Sequence, residues 1–157
     1  VAELCETSRQ GDVLAVANVL CPGNVVASGD LAACERLEAA AEEAGAMRCV
    51  RLEVAGAFHT TRMQPAVERL SAALDAVEIR PPQLPVVSNV DARPHDDPAE
   101  IRQLLAQQVC GVVEWQASIE YLLAAGVDSC WEVGPGRVLR GLLKRIARKL
   151  PSHGALD

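Results

Sequence analysis

Short runs rich in β-branched residues alternate along this chain with longer amphipathic segments. The runs lie at residues 12–19, 24–29, 50–54, 85–88 and 128–133. The segments between them repeat apolar residues every three or four positions, the spacing of a helix face. Strands and helices that alternate in sequence favour an α/β fold. We therefore predict an α/β architecture.

Two of the runs carry more detailed predictions. VRLEV at 50–54 alternates apolar and charged residues, which predicts a strand with Val50, Leu52 and Val54 on one side. DSCWEV at 128–133 predicts a buried strand. Two helix starts are also marked: Asp30 is placed to cap a helix that stops at Gly45, and DPAE at 97–100 forms a capping box.

Composition limits the possible partners. The chain has 15 Lys+Arg against 21 Asp+Glu, a formal charge of −6, which argues against nucleic acid. No apolar run approaches the roughly 20 residues that cross a bilayer, and the first residues lack a secretory signal, so no membrane partner is expected. The six cysteines form no C-x-x-C pair, which predicts reduced thiols in the cytoplasm and no metal site.

His59 is the main candidate for chemistry. It lies in VAGAFHT, beside Phe58, the one phenylalanine of the chain. A histidine that follows a strand of an α/β fold is placed to act as a base, although a hydrogen-bonded core histidine is the plainer interpretation. Gln108, on an apolar helix face, and Asn18, in an apolar strand, each need polar partners. His95 and His153 are expected to be solvated.

Two further stretches allow a binding role or a purely structural one. EVGPGRVL at 132–139 places free N–H groups at a helix start, where they bind an anion or simply form a tight turn. The last helix is rich in Lys and Arg, which form either a solvated basic face or a surface for an acidic partner.

Five stretches taken together resemble the malonyl-CoA:acyl-carrier-protein transacylase family. They are, in order, ANVLCPGNVVASGD, VAGAFHTTRMQPAVERL, PVVSNVDA, LLAQQVCGVVEW and WEVGPGRVLRGLLKRI. The resemblance implies transfer of a malonyl group from malonyl-CoA, a coenzyme A ester, to the phosphopantetheine thiol of acyl carrier protein in fatty acid biosynthesis. It also implies a cytoplasmic enzyme that binds no cofactor and is monomeric when complete.

The resemblance assigns roles to five residues. His59 matches the catalytic general base for a serine nucleophile, and Gln108 matches the residue whose backbone carbonyl orients the imidazole. Phe58 matches an aromatic residue that accompanies malonyl rather than methylmalonyl units. Arg48 matches a position that meets coenzyme A phosphates, and Asn18 matches a polar residue that lines the cleft.

The resemblance also implies a division of the chain. Residues 1–55 look like most of a ferredoxin-like small subdomain without its first strand. Residues 56–157 look like the C-terminal part of a hydrolase-like α/β acyltransferase domain. The sequence holds no Gly-His-Ser-x-Gly elbow, and Thr61-Arg62 replace a small-Leu pair of the family. The chain is therefore expected to be the C-terminal portion of a transacylase and inactive alone.

Two alternatives to this function stay open. One is the acyltransferase domain of a polyketide synthase, although the chain's end in PSHGALD favours a stand-alone enzyme. The other is a non-catalytic module that binds a carrier protein through Arg48 and the basic last helix. Such a module has no need of His59, Gln108 and Phe58 together.

Overall fold

The computed structural model describes residues 1–155 and has a mixed α/β fold, which confirms the predicted class. The helices are α1 (Ala2–Arg9), α2 (Leu31–Glu43), α3 (Gln64–Asp75), α4 (Pro98–Gln107), α5 (Trp115–Ala124) and α6 (Val138–Ile146). A 3₁₀ turn at Thr61–Met63 precedes α3. The strands are β1 (Leu14–Cys21), β2 (Asn24–Gly29), β3 (Val86–Val87), β4 (Pro94–His95), β5 (Cys130–Glu132) and β6 (Ser152–Gly154).

The strands form three two-stranded sheets. β1 pairs with β2 and β3 with β4, both antiparallel, whereas β5 and β6 are parallel. Gly23, at a φ of 73°, closes the turn between β1 and β2, a backbone conformation that glycine adopts at little cost. The β1–β2 hairpin packs against α1 and α2 around a small core of Cys5, Leu14 and Ala33.

The hairpin is tied to the second half of the chain. Asn18 of β1 forms a parallel bridge with Val113, in which the Val19 N–H donates to the Val113 carbonyl at 2.9 Å. At the hairpin turn, the Arg145 guanidinium of α6 donates to the Pro22 carbonyl at 3.1 Å. Distant parts of the sequence therefore meet along β1.

The strand predicted at 50–54 is wrong for this structure. The segment is irregular, and Val50, Leu52 and Val54 are 56%, 54% and 63% exposed. A strand requires a hydrogen-bonded neighbour, and no part of residues 1–155 pairs with this segment. The alternation in its sequence therefore remains without a sheet.

The strand predicted at 128–133 is present as β5, but it is not buried. Trp131 is 65% exposed and Val133 is 84% exposed. The Trp131 ring lies 4.7 Å from that of His153, an exposed residue of β6, as measured between centroids. Burial fails because the described chain places only β6 beside β5.

Two further findings concern membrane-spanning helices and the cysteines. Every helix within residues 1–155 is too short or too polar to cross a lipid bilayer. The six cysteines are all free thiols, and two of them, Cys5 and Cys21, are buried.

Candidate active site

His59 lies in a short loop between the irregular segment and α3. Its φ is 61°, a left-handed conformation that few residues other than glycine adopt, although histidine is among those enriched there. The His59 N–H donates to the Val109 carbonyl at 3.2 Å. The following residue, Thr60, is 3% exposed, and its hydroxyl donates to the Ala57 carbonyl at 2.7 Å. The loop is thus fixed from both sides of His59.

The imidazole of His59 is oriented by two main-chain oxygens. Nδ1 lies 3.0 Å from the carbonyl oxygen of Gln108 and 2.9 Å from that of Gly111. A carbonyl oxygen only accepts hydrogen bonds, so Nδ1 carries the proton in this arrangement. Nε2 then holds the lone pair and is the atom able to accept a proton from a nucleophile.

The end of α4 supplies these oxygens. Gln108 follows the last residue of the helix, where main-chain carbonyls lack a partner within the helix. The turn after it brings the Val109 carbonyl to the His59 N–H and the Gly111 carbonyl to the ring. Gln108 thus contacts His59 through its main-chain carbonyl at the end of the helix. Its side chain, which the sequence marked as needing polar partners, takes no part in this contact.

Phe58 and Asn18 lie close to this arrangement in the fold. Phe58 directly precedes His59 and is 45% exposed, so its ring borders solvent rather than filling a core. Asn18 is half-buried in β1 and is bridged to Val113, two residues beyond Gly111.

Arg48 is not brought into contact with the His59 loop. It is exposed in the irregular chain after α2. Within the part of the chain that the structure describes, its guanidinium makes no hydrogen bond or ion pair. A free cation of this kind is available for an anionic group such as a phosphate.

The glycine-rich turn at 134–136 does not offer an open anion site. The Glu132 carboxylate occupies the start of α6, where it accepts hydrogen bonds from the N–H groups of Leu139 and Arg140 at 3.0 and 3.3 Å. Burial raises the pKa of Glu132, but these hydrogen bonds outweigh burial and leave the pKa below its ordinary value. The geometry therefore favours the tight turn over an anion-binding site.

His95 is not solvated as predicted. Its side chain is 9% exposed, and its two ring nitrogens lie 3.0 Å from carboxylate oxygens of Asp91 and Glu100. The hydrogen bonds that the ring donates to Glu100 and then to Asp91 raise the pKa of His95 above its ordinary value. This cluster joins β4 to the first turn of α4.

Asp30 occupies the predicted N-cap position of α2, but its side chain makes no hydrogen bond to that helix. Its carboxylate instead accepts hydrogen bonds from the Val13 N–H and from the guanidinium of Arg62. Neither this contact nor that of Gly111 with His59 is marked by a local motif, so neither is predicted from the sequence.

The basic residues near the end of the chain divide into two groups. Arg140 pairs with Glu132 at 3.2 Å, and Arg145 is bound to the hairpin turn, so both have structural contacts. Lys144, Arg148 and Lys149 are exposed. These three residues, which we call the basic patch, leave a positive surface on an otherwise acidic chain.

Comparison with known proteins places this geometry in context. The malonyl CoA-acyl carrier protein transacylase of Bacillus subtilis is 39% identical over 152 residues, and that of Salmonella typhimurium is 41% identical over 150 residues. These matches cover 97% and 96% of the chain. No family model matches the chain.

Solved structures agree with these relatives. An acyl carrier protein S-malonyltransferase from Vibrio cholerae superposes with a TM-score of 0.95 at 38% identity, covering 98% of this chain and 50% of that one. A malonyl-transacylase solved in complex with a type II PKS acyl-carrier protein superposes with a TM-score of 0.95 at 36% identity, covering 99% of this chain and 50% of its own.

The chain spans about half the length of the curated relatives it matches, 48% in both bacterial proteins. Within that half, the sequence alignments and the structural superposition extend over nearly the whole of this chain. Over this span the chain is homologous to the malonyl CoA-acyl carrier protein transacylases.

Proposed function

We propose that this chain supplies the general base of a malonyl-CoA:acyl carrier protein transacylase. The observation that carries the proposal is the contact of His59 Nδ1 with the carbonyl oxygens of Gln108 and Gly111. It leaves Nε2 free to take a proton, as the base of a serine nucleophile must. The names of the relatives supply the substrate class, a malonyl ester of coenzyme A and an acyl carrier protein.

The proposed reaction has two halves. A serine outside this sequence attacks the thioester carbon of malonyl-CoA while its hydroxyl proton passes to His59 Nε2. The carbon–sulfur bond breaks, and the proton moves from Nε2 to the coenzyme A sulfur. The phosphopantetheine thiol of the carrier then gives its proton to Nε2 and attacks the malonyl-serine ester, and the serine oxygen leaves with that proton. These steps require no bound cofactor.

Three further residues are proposed to contact the substrates. Phe58 directly precedes His59. Its ring is proposed to border the imidazole and to limit the room beside the malonyl group. Asn18 lines the cleft from β1, next to the turn that holds His59. Arg48, whose guanidinium is free in the described chain, is proposed to meet the phosphates of coenzyme A.

The basic patch is proposed to receive the carrier protein. Lys144, Arg148 and Lys149 are exposed. Carrier proteins are generally acidic, so opposite charges favour their encounter at low salt. A solved relative in complex with an acyl-carrier protein supports this partner class.

The fold is proposed to divide as the family resemblance implies. Residues 1–55 form most of a ferredoxin-like small subdomain, and residues 56–157 belong to the large hydrolase-like acyltransferase domain. The compact core of α1, α2 and the β1–β2 hairpin supports the first unit.

The test replaces His59 in a complete transacylase, made by exchanging the matching half of a relative for this chain. Because a positioned general base contributes about 100-fold to 10,000-fold, His59→Ala should lower transfer of labelled malonyl to carrier protein by a factor in that range. His153→Ala is the control, since it removes an exposed imidazole that lies outside the His59 loop. Equal activity of the two variants would contradict the proposal.

The same assay distinguishes the proposed enzyme half from a non-catalytic module that binds a carrier protein. A binding module would retain carrier-protein association in the isolated chain and gain no transfer when the serine-bearing half is added. The proposed enzyme half gains transfer on that addition and loses it with His59→Ala.

A further inference from the structure

The carboxylate of Asp30 and the guanidinium of Arg62 form a forked ion pair next to the His59 loop. Nε of Arg62 donates to one carboxylate oxygen at 2.8 Å, and Nη2 donates to the other at 2.6 Å. Two parallel hydrogen bonds fix direction as well as distance, which a single contact does not. The pair joins the end of the β1–β2 hairpin to the 3₁₀ turn that follows His59.

Asp30 is itself fixed in place. It accepts a hydrogen bond from the Val13 N–H at 3.0 Å, and its own N–H donates to the Val13 carbonyl at 2.7 Å. Its side chain holds these contacts at the N-cap position of α2 without capping that helix. An N-cap side chain usually stabilises its helix, so the carboxylate here serves a different contact.

Arg62 is connected to His59 through Thr60. The Arg62 N–H donates to the Thr60 hydroxyl oxygen at 3.2 Å, and that hydroxyl donates to the Ala57 carbonyl at 2.7 Å. The loop from 57 to 62 is therefore closed around His59. Its far end is attached to Asp30, and the His59 N–H is attached to Val109.

This attachment matters because the backbone of His59 is unfavourable by itself. A φ of 61° is unfavourable in a residue other than glycine and persists only where neighbouring contacts enforce it. If the loop relaxes, the ring turns away from the carbonyls of Gln108 and Gly111. The proton of the neutral imidazole is then no longer held on Nδ1.

We propose that Asp30 and Arg62 are positioning residues, which hold the loop so that the His59 imidazole stays on the carbonyl oxygens of Gln108 and Gly111. Neither side chain touches a reacting atom. The inference rests on the proposed role of His59 as the base, but the contacts that it concerns exist without any substrate.

The test measures hydrogen exchange in the isolated full chain at low-micromolar concentration by mass spectrometry. Two signals are followed in a peptide covering residues 55–63: exchange of the backbone amides and exchange of the C2 proton of the His59 ring. Arg62→Gln should speed amide exchange in this peptide about threefold to fivefold, since exposed ion pairs have effects of that size. The ring proton should exchange at a rate closer to that of the exposed His153.

The chain offers a matched control. Arg51 pairs with Glu38 at 2.7 Å and is 55% exposed at its side chain, against 57% for Arg62. Arg51→Gln removes an equally exposed ion pair of α2 and should leave the 55–63 peptide unchanged. Arg62→Lys keeps the charge but loses the fork, and it should restore the protection only in part.

Peptides from α5 are the internal reference for overall stability. Faster exchange confined to residues 55–63 supports the proposal. Exchange that is unchanged there, or that rises equally in α5, overturns it. Neither readout depends on malonyl transfer, so failure of this inference and failure of the proposed function are separate results.

Discussion

The imidazole of His59 is oriented by two neutral carbonyl oxygens, and no carboxylate contacts it among the described residues. A carbonyl dipole fixes the tautomer as a carboxylate does, but it carries no full charge with which to stabilise the protonated ring. Since both oxygens belong to the main chain, substitution of the Gln108 side chain removes neither of them. The orientation therefore depends on the path of the backbone after α4.

At Phe58 we predict an effect on substrate choice. The ring is 45% exposed beside His59, so it is free to form a wall against a branched acyl group. In the complete enzyme, Phe58→Ala should shift the ratio of kcat/KM toward methylmalonyl-CoA by about 10-fold to 200-fold, the range for discrimination by one methyl group. The measurement is kcat/KM for both esters in wild type and variant.

Leu84→Ala is the control for that measurement, because Leu84 is an exposed apolar residue at 76% with no place in the site. If Phe58 only packs the loop, its removal slows both esters equally. An unchanged ratio would then withdraw the argument for malonyl specificity.

The residues of the site were predictable from sequence to different degrees. His59 and Gln108 were singled out by their local sequence, and the structure brings the two into contact. The roles that the family resemblance gives them stay predictions. Gly111 lies 52 positions from His59, and Asp30 lies 32 positions from Arg62, and only folding brings each pair together. Asp30 even carries a local signal for another role, that of a helix cap, which its tertiary contact overrides.

Between elements, His95 connects β4 to α4 through its contacts with Asp91 and Glu100. Its pKa is raised above the ordinary value of 6.5. A raised pKa means that the folded state binds the proton more tightly than the unfolded state does. The resulting stability is complete below the unfolded pKa and is lost as the pH rises through the folded pKa.

We therefore predict that the free energy of unfolding falls more steeply above about pH 6.5 in the wild type than in His95→Gln, whose side chain does not titrate. Urea unfolding at dilute protein between pH 6 and pH 9, in steps of about half a unit, measures the two slopes. His153→Gln should retain the wild-type slope. Equal slopes in wild type and His95→Gln would show that the cluster does not contribute.

Helices were predicted more accurately than strands, and the reason is physical. A helix satisfies its own hydrogen bonds, so caps and stops such as Asp97 and Gly126 mark its limits locally. A strand needs a neighbour, and alternation in sequence shows only that its two sides differ. VRLEV at 50–54 carries this alternation and still forms no strand, because no strand within residues 1–155 pairs with it.

At the scale of the whole molecule, large apolar side chains are unusually open to solvent. Met47, Leu84, Val133 and Val138 are 101%, 76%, 84% and 73% exposed. Apolar side chains exposed to this degree favour association with another surface or aggregation. The open strand edges of three narrow sheets add unpaired backbone groups.

We predict that the isolated chain self-associates as its concentration rises. Sedimentation velocity should show larger species at tens of micromolar than at one micromolar. Val133→Glu combined with Val138→Glu should reduce the association, because it places charge on the most exposed apolar positions near α6. Glu6→Gln, a change on an already polar surface, should not. A single monomer peak at every concentration, with a sharp two-state melt, would contradict the prediction.

The contact between Arg145 and Pro22 has a consequence for synthesis on the ribosome. The two residues are 123 positions apart. At about 5–20 residues per second, Pro22 is made roughly 6 to 25 s before Arg145. The hairpin turn is therefore made well before the arginine that binds it. A nascent chain that has already passed His59 likewise still lacks the carbonyls of Gln108 and Gly111. The geometry of the imidazole is therefore completed only after Gly111 has been made, 52 positions after His59.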